Sequence, residues 1–557
     1  MTAPTRLVLR GGTIATSDGM READVEVANG LVTKVGAVVP RRTDRVIECG
    51  GRLVLPGFVD AHSHADARFV DAAVQRALLR QGVTSIITGQ DGVSFAPGDG
   101  TFSSEYFAAI NGEHSGYEGG GVAGYLASVD GASRLNVAYL VPAGTVRWEV
   151  CGRTQEHADP TQLRRMMRLT RMGMREGAVG LSTGLDYVPG SFQPADEIAA
   201  LCDPVARAGG VYVTHMRGGY ETNSAAGIAE IAEITELTRE KADADLRVHI
   251  SHFHAPPEIL IGQLDALARA GIDATFDAYP YGRGCSLLSM LLLPPELSIQ
   301  PTGAVIRTLA DPVDRERLRQ EWIPQIEQNP GLGPEWPDMV SFAHIAAPSF
   351  GWAHGLTVAQ AAASAGCDAA DLAFDVLIAS ALRVNVVMAV RHPRTVSELA
   401  RIFADSRHMG GSDGIFVGAH PHPRARGTFA KFLRDLVVDQ AIWSWSDAAR
   451  HLAATPAARF SLGARGHIAP GWIADLAVVD PDAVADTATY DRPLGEAVGI
   501  DDVIVAGTPV LVNGELASTL AGRGLRRSPT PRWDTPHAAP PRSTQDHTTQ
   551  DPKERRQ

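Results

Sequence analysis

Leu55-Pro-Gly-Phe-Val-Asp-Ala-His-Ser-His64 is a short apolar run that ends in two histidines one residue apart. In an extended strand, residues i and i+2 face the same side, so His62 and His64 project together as a pair of imidazoles. Pro56 and Gly57 punctuate the start of the run. The pair therefore falls at the C-terminal end of a strand, the end at which barrel enzymes carry their chemistry. Alone, a His-X-His is as compatible with a surface loop as with a site. Its weight depends on what the rest of the chain supplies.

Working outward, four further strand ends carry chemistry-bearing residues. Thr84-Ser-Ile-Ile-Thr88 runs into Gly89-Gln-Asp-Gly92, which places Asp91 between glycines that allow close backbone approach. Val211-Tyr-Val-Thr-His215 ends in a histidine, and Val248-His-Ile-Ser-His252-Phe-His254 repeats the arrangement. Met409-Gly-Gly-Ser-Asp413-Gly places a second carboxylate after the last strand pattern. A single strand-end histidine is usually structural, and Ser-Asp-Gly is usually a turn or a cap. Six groups (His62, His64, Asp91, His215, His252, Asp413) arriving in register from five strands point instead to a metal site. Imidazole plus carboxylate is the ligand set of zinc, with a position left open for water.

These strands belong to a longer alternation of strand and helix patterns, from about Phe58 to Leu462, that signals repeated βα units. Candidate strands are Gly57–Asp60, Thr84–Thr88, Asn136–Leu140, Val179–Ser182, Val211–Thr214, Arg247–Ser251, Asp273–Phe276, Asn385–Val390 and His408–Gly411, with helices such as Thr161–Glu176 and Asp196–Ala208 between them. An eightfold barrel has one strand fewer. Asn385–Val390 is the one expected outside the ring, because it follows an irregular Pro-, Glu- and Trp-rich region, about 287–355, that reads as an inserted lid. At the N-terminus, short β patterns (Leu7–Leu9, Val25–Val27, Leu31–Val35, Val46–Ile47) are separated by Gly11-Gly12, Asn29-Gly30 and Gly50-Gly51. They are too few to stand alone. Asp475–Asp480 and Val503–Val512, followed by the turn Asn513-Gly514, complete a small β-sandwich built from both chain ends. The expected organisation is an α/β chain: residues 1–56 plus 464–526 as the sandwich, 57–463 as a (β/α)8 hydrolase barrel, and 527–557 as a polar, proline-rich disordered tail.

Composition bounds the rest. The 557 residues are too many for one ordinary core, and 44% hydrophobic with 21% charged residues is globular. A formal net charge of -13 argues against nucleic acid as a partner. Five scattered cysteines, Cys49, Cys151, Cys202, Cys285 and Cys367, read as reduced core thiols. No signal segment and no apolar run of about 18 residues is present, so the expectation is a cytoplasmic protein with no membrane partner. A homo-oligomer is compatible with this composition.

The same motifs resemble the amidohydrolase superfamily and, within it, the N-acyl-D-amino-acid deacylases (D-aminoacylases). The resemblance runs from the N-terminal strands to about Arg527. It is carried by Gly57–His64, Gly180-Leu-Ser-Thr-Gly-Leu-Asp-Tyr-Val-Pro-Gly190, Thr214-His-Met-Arg217, Ile250-Ser-His252, Asp277-Ala-Tyr-Pro-Tyr281, Gly411-Ser-Asp-Gly414, His422-Pro-Arg-Ala-Arg-Gly-Thr-Phe429 and Pro470–Leu476. It implies a distorted (β/α)8 barrel and a zinc site with one tight metal and sometimes a weaker second. It also implies that His62 and His64 form the first metal pair and that His215 and His252 hold the tight site. Asp413 corresponds to the catalytic aspartate, and Arg424 to an arginine that contacts the substrate carboxylate. Arg217, Tyr279, Tyr281 and Arg283 are further pocket candidates.

Three positions depart from the family pattern. Asp91 stands where the deacylases have a bridging cysteine, His254 replaces a lysine, and Pro142-Ala-Gly-Thr145 lacks a histidine. The four lysines (Lys34, Lys241, Lys431, Lys553) end no barrel strand, so a carbamylated lysine cannot bridge metals here. Asp91 is left as the anionic bridge, and its hard oxygen widens the choice of metal from zinc toward Mn or Fe. The expected reaction is hydrolysis of the amide of an N-acyl amino acid, D-configured by resemblance. The alternatives are a cyclic amide or imide opened at the same site, and a barrel that has lost its metal and its catalysis.

Overall fold

A computed structural model describes residues 6–528 apart from 115, 222, 223 and 330. The tail expected to be disordered lies, from residue 529 onward, outside the described residues. Eight parallel strands form the central sheet: β1 (Phe58–Asp60), β2 (Val83–Thr88), β3 (Asn136–Pro142), β4 (Gly180–Gly184), β5 (Val211–His215), β6 (Arg247–Ile250), β7 (Ala274–Ala278) and β8 (His408–Gly410). Their spatial order is their sequence order. The seam between β8 and β1 is drawn together by Ala61 N–H donating to Gly410 O at 3.0 Å and by a parallel bridge between Ser63 and Gly414. Strands β2 and β3 are buried along their whole length, which is why neither alternates apolar with charged residues.

The helices between them start and stop where local chemistry dictates. Helix Pro160–Glu176 begins with Asp159 and Gln162 in a reciprocal capping box and with Pro160 in its first turn. It ends at Gly177, whose φ of 117° is open only to glycine at little cost.

The leading apolar run is divided rather than continuous. Leu53–Pro56 pairs antiparallel with Leu476–Val479 in a seven-stranded sheet, and the chain enters β1 only after Gly57. A Cβ on Gly57 would lie 2.4 Å from the Thr84 side chain, so glycine is required where the chain crosses from sandwich to barrel. A four-stranded sheet (Leu31–Gly36, Asp24–Ala28, Leu7–Arg10, Arg45–Glu48) faces the seven-stranded one across a core of Leu7, Leu9, Val27, Val54, Leu476 and Ile504. Both chain ends thus build the sandwich.

One hairpin is not read from the sequence, and one local expectation needs correction. Thr13–Thr16 and Gly19–Glu22 form a hairpin that the short polar pattern concealed. The run Val503–Val512 is two antiparallel strands, Ile500–Val505 and Thr508–Val512, because Ala506 (φ 45°) and Gly507 (φ 76°) turn the chain back.

Between β7 and β8 the chain leaves the barrel. Arg283–Leu287, Val384–Ala389 and Val340–Ile345 make an antiparallel three-stranded sheet. The ninth candidate strand therefore belongs to this excursion and not to the ring. The excursion has its own core, including Leu292, Val305, Trp336, Phe342 and Phe374.

Candidate metal centre and active site

Asp91 is the centre of the site. Its Oδ1 lies 3.7 Å from His62 Nε2 and 3.8 Å from His252 Nε2, and its Oδ2 lies 3.5 Å from His64 Nε2 and 3.8 Å from His215 Nδ1. Each oxygen faces one histidine from each pair. His62 and His64 follow β1 after a bend at residues 61 and 62, and both rings face Asp91. His215 ends β5, while His252 lies two residues past β6 and Asp91 three past β2. Three of these loop-end residues sit in the left-handed region, Asp91 at φ 54°, His252 at φ 34° and Asp413 at φ 47°. Such backbone is retained where surrounding structure holds it, typically at functional sites.

The donor set fits a divalent metal ion of the zinc kind. Four buried or nearly buried imidazoles and one carboxylate place two three-ligand groups around Asp91, His62/His64/Asp91 and Asp91/His215/His252. His62 Nε2 and Asp91 Oδ1 are buried with no hydrogen-bond partner, the condition of atoms awaiting a cation. Electrostatics agree. Burial opposes charge on His64, yet hydrogen bonds to Asp413 and Asp91 outweigh it and push the imidazole up to about 10. Burial likewise opposes the Asp91 anion, but the surrounding histidines hold it well below the ordinary carboxylate range. Carboxylates and imidazoles here stabilise each other's charged forms.

Asp413 adjoins it. Its backbone N–H donates to His62 O at 2.8 Å, and its Oδ1 lies 3.3 Å from His64 Nε2. Its Oδ2 lies 2.8 Å from Arg424 Nη2. Burial would raise its pKa, but Arg424, His252 and His64 bring it down to about 2. Asp60, given no role by the sequence reading, fastens this corner: one of its oxygens accepts from the backbone N–H groups of His62 and Ser412, and the other from Ser412 Oγ at 2.5 Å. Burial, against those bonds, lifts the Asp60 carboxyl to about 7.

The cluster opens into a cavity of about 300 Å³. His254, Tyr279, Tyr281 and Arg283 all line it. His254 is 8% exposed, and neither ring nitrogen has a partner; burial, then the charges of Arg394 and His252, keep it neutral. The Tyr279 ring stands between His254, 4.5 Å away centre to centre, and the Arg424 guanidinium, whose Cζ is 4.5 Å from it. Tyr281 reaches Asp486, and Arg283 stacks on Tyr490 at 4.2 Å. Arg424 is fully buried beside Asp413, and none of its Nε, Nη1 and Nη2 is aligned for a hydrogen bond despite the short ion-pair distance.

Two candidates for substrate contact do not line the cavity: Arg424 is buried against Asp413, and Arg217 is placed elsewhere. Its guanidinium is spent on Ser191 O, Gln193 O and Glu230, and it does not line the cavity. From sequence it looked like its neighbours because it follows His215 by two residues. Its partners come from a different loop. Given no role from sequence were Asp186, Tyr220, Glu221 and Arg394, which line the cavity, and Asp277, whose carboxylate accepts the His252 N–H at 3.0 and 2.9 Å; Asp186 and Asp277 lie within quoted motifs. The excursion roofs the cavity with Met290, Leu291, Leu332, Met388 and Val390. Of the lysines, Lys34 lies in the four-stranded sheet and Lys241 and Lys431 on helices, away from the cluster; Lys553 is outside the described residues. The five cysteines are free thiols.

A parallel eight-stranded barrel with histidines and carboxylates at its C-terminal mouth is the architecture of the metal-dependent amidohydrolases. Comparisons with known proteins agree. Residues 45–288 match the model of an amidohydrolase family. The D-aminoacylase of Alcaligenes xylosoxydans xylosoxydans is 28% identical over 534 residues, spanning 94% of this chain and 98% of that protein. The N-acyl-D-glutamate deacylase of the same organism is 29% identical over 531 residues, spanning 94% and 96%. A crystal structure of N-acyl-D-glutamate deacylase from Bordetella bronchiseptica, complexed with zinc and a phosphonate mimic of the tetrahedral intermediate, superposes with a TM-score of 0.77 at 26% identity, covering 94% of this chain and all of that one. A D-aminoacylase structure, likewise at TM-score 0.77 and 26% identity, covers 94% and 99%, and another describes a binuclear metal centre in that enzyme. Over nearly its whole length the chain is thus similar to the N-acyl-D-amino-acid deacylases of the amidohydrolase superfamily.

Proposed function

We propose that this protein hydrolyses the amide bond of N-acyl-D-amino acids, releasing a carboxylate and the free amino acid, with one or two divalent metals, zinc first, held by His62, His64, Asp91, His215 and His252. The observation that carries the reading is Asp91 set between two histidine pairs, with Asp413 beside it at the floor of a cavity. Bound there, a divalent metal supplies Lewis acidity, which acidifies water and polarises a carbonyl. Asp413, kept as a carboxylate by Arg424, His252 and His64 against its burial, takes the proton of the attacking water on Oδ1 and returns it to the leaving amine. Arg424 offers buried, unaligned N–H donors next to Asp413, a guanidinium suited to the substrate's carboxylate. Tyr279, His254, Tyr281 and Arg283 line the cavity. The D configuration follows the relatives, which are named for D-substrates.

The test is release of free amine from matched N-acyl-D- and N-acyl-L-amino acids, with zinc, manganese or cobalt added, using Asp413→Asn as the control. The expected result is cleavage of D-substrates by the wild type and a loss of at least about 10²-fold in turnover in the variant, with metal retained. Cleavage of cyclic amides alone, or near-full activity of the variant, would overturn the reading.

A further inference from the structure

Behind three of the four imidazoles of the cluster stands a second group. His62 Nδ1 lies 3.4 Å from Asp277 Oδ2, and His64 Nδ1 lies 3.0 Å from Asn111 Oδ1. His215 Nε2 lies 3.2 Å from Asp186 Oδ2. Asp186 is unlike the others in position. It follows β4 in the Leu185–Gly190 segment, its side chain is 29% exposed, and it lines the cavity. Its other oxygen accepts the backbone N–H of Gly218 at 2.9 Å, three residues past His215.

We propose that Asp186 is a positioning residue that fixes the tautomer of His215 and thereby keeps the metal position between His215 and His252 open; this rests on the metal-centre reading above. A neutral imidazole carries one N–H and one lone pair, and only the lone pair binds a metal. His215 Nδ1 and His252 Nε2 are 3.1 Å apart, within hydrogen-bonding distance. With its proton on Nδ1, His215 has no lone pair on the Asp91 side, and by donating to His252 Nε2 it occupies that lone pair too. With its proton on Nε2, held by the Asp186 carboxylate, His215 turns its Nδ1 lone pair to the cluster. When the His252 proton sits on its Nδ1, His252 Nε2 presents a lone pair there as well. Two lone pairs at this distance repel unless a cation lies between them, so the arrangement favours metal over an empty, self-bonded pair. A carboxylate behind a ligating histidine also makes it a stronger donor.

A bland role competes: Asp186 caps the turn after β5 through Gly218. The two roles separate on Asp186→Asn and Asp186→Ala in the full chain. Asparagine can keep the Gly218 bond with its oxygen, which turns its NH2 toward His215 Nε2 and stabilises the wrong tautomer, as amide-for-carboxylate exchange behind a catalytic histidine does. Apo protein is titrated with zinc against a chromogenic chelator, and its thermal unfolding is recorded. The expected result is a zinc dissociation constant about 10–100-fold weaker in both variants, with asparagine no better than alanine and the apo-protein Tm of the asparagine variant unchanged. Zinc affinity at the wild-type value in Asp186→Asn, or an affinity loss confined to alanine and matched by a lowered apo Tm, would overturn the proposal and leave the turn. His215→Ala run alongside separates the two failures. Tight zinc retained there would overturn the metal assignment itself, and Asp186 with it; zinc lost there but bound normally by Asp186→Asn would refute Asp186 alone.

Discussion

Asp91 is the residue on which this chain departs most informatively from its relatives' pattern. Aspartate is a common turn residue, and a Gly-Gln-Asp-Gly loop invites that explanation. The turn, however, is held by other groups: Gly89 N–H donates to Asp66 and Gly92 N–H to Ser182, while Asp91 Oδ1 is buried without a hydrogen-bond partner. Its φ of 54° is a further cost, of order 1–3 kcal/mol at such sites. A carboxylate held in this way is available to bridge metals. Asp91→Ala is therefore expected to weaken metal binding and to lower turnover, while Asp91→Cys restores a soft ligand and shifts activation toward zinc over manganese. Metal titrations of wild type and both variants, read by amine release, check this. Unchanged metal preference in the cysteine variant, together with full activity in the alanine variant, would return Asp91 to the turn.

At the scale of elements, the site depends on loops crossing strands at very short range. A Cβ on Gly89 would lie 2.3 Å from Leu140 O, on the neighbouring strand β3, and the residue's φ is 77°. By contrast, Gly209, in the turn before β5, has a similar φ of 67° with nothing within 4 Å of a Cβ. Alanine at Gly209 carries only the backbone cost of about 1–2 kcal/mol. Alanine at Gly89 adds a backbone collision that must move β2 or β3. Denaturant unfolding should show Gly89→Ala as the more destabilised of the two by about 2 kcal/mol or more, with metal affinity lowered as well, because Asp91 is two residues away. Equal losses would mean that φ alone demands glycine at both positions.

For the whole molecule, the candidate ligands come from the ends of β1, β2, β5 and β6, so a bound metal ties together strands far apart in sequence. Asp413, at the end of β8, meets His62, at the end of β1, across the barrel seam. Ligand that binds only the folded state stabilises by RT ln(1 + [L]/Kd), about 2.7 kcal/mol at a hundredfold excess over Kd. Removing metal with a chelator should therefore lower Tm by several degrees and abolish amine release, and zinc should restore both. Calorimetry of the apo and zinc-loaded protein reads the first, the amine assay the second. An apo protein with unchanged Tm and unchanged activity would contradict a metal-dependent enzyme. No helix among the described residues is long and apolar enough to cross a membrane.

Much of this was legible in the sequence because strands carry their own periodicity. The His-X-His pattern just past a short apolar strand marks His62 and His64, buried runs such as Thr84–Thr88 mark parallel strands, and the surplus strand Val384–Ala389 betrayed itself by following a Pro- and Trp-rich region. What only the tertiary structure decided are partnerships between residues remote in the chain. Arg217 and Arg424 look alike in sequence, yet one is consumed by Ser191, Gln193 and Glu230 and the other stands against Asp413 with unaligned donors. Asp60, Asp186 and Asp277 carry no local signal that separates them from helix caps and turn residues. A carboxylate's role is set by which nitrogen lies about 3 Å away, and that neighbour is chosen by strand order and loop path, not by the residues beside it.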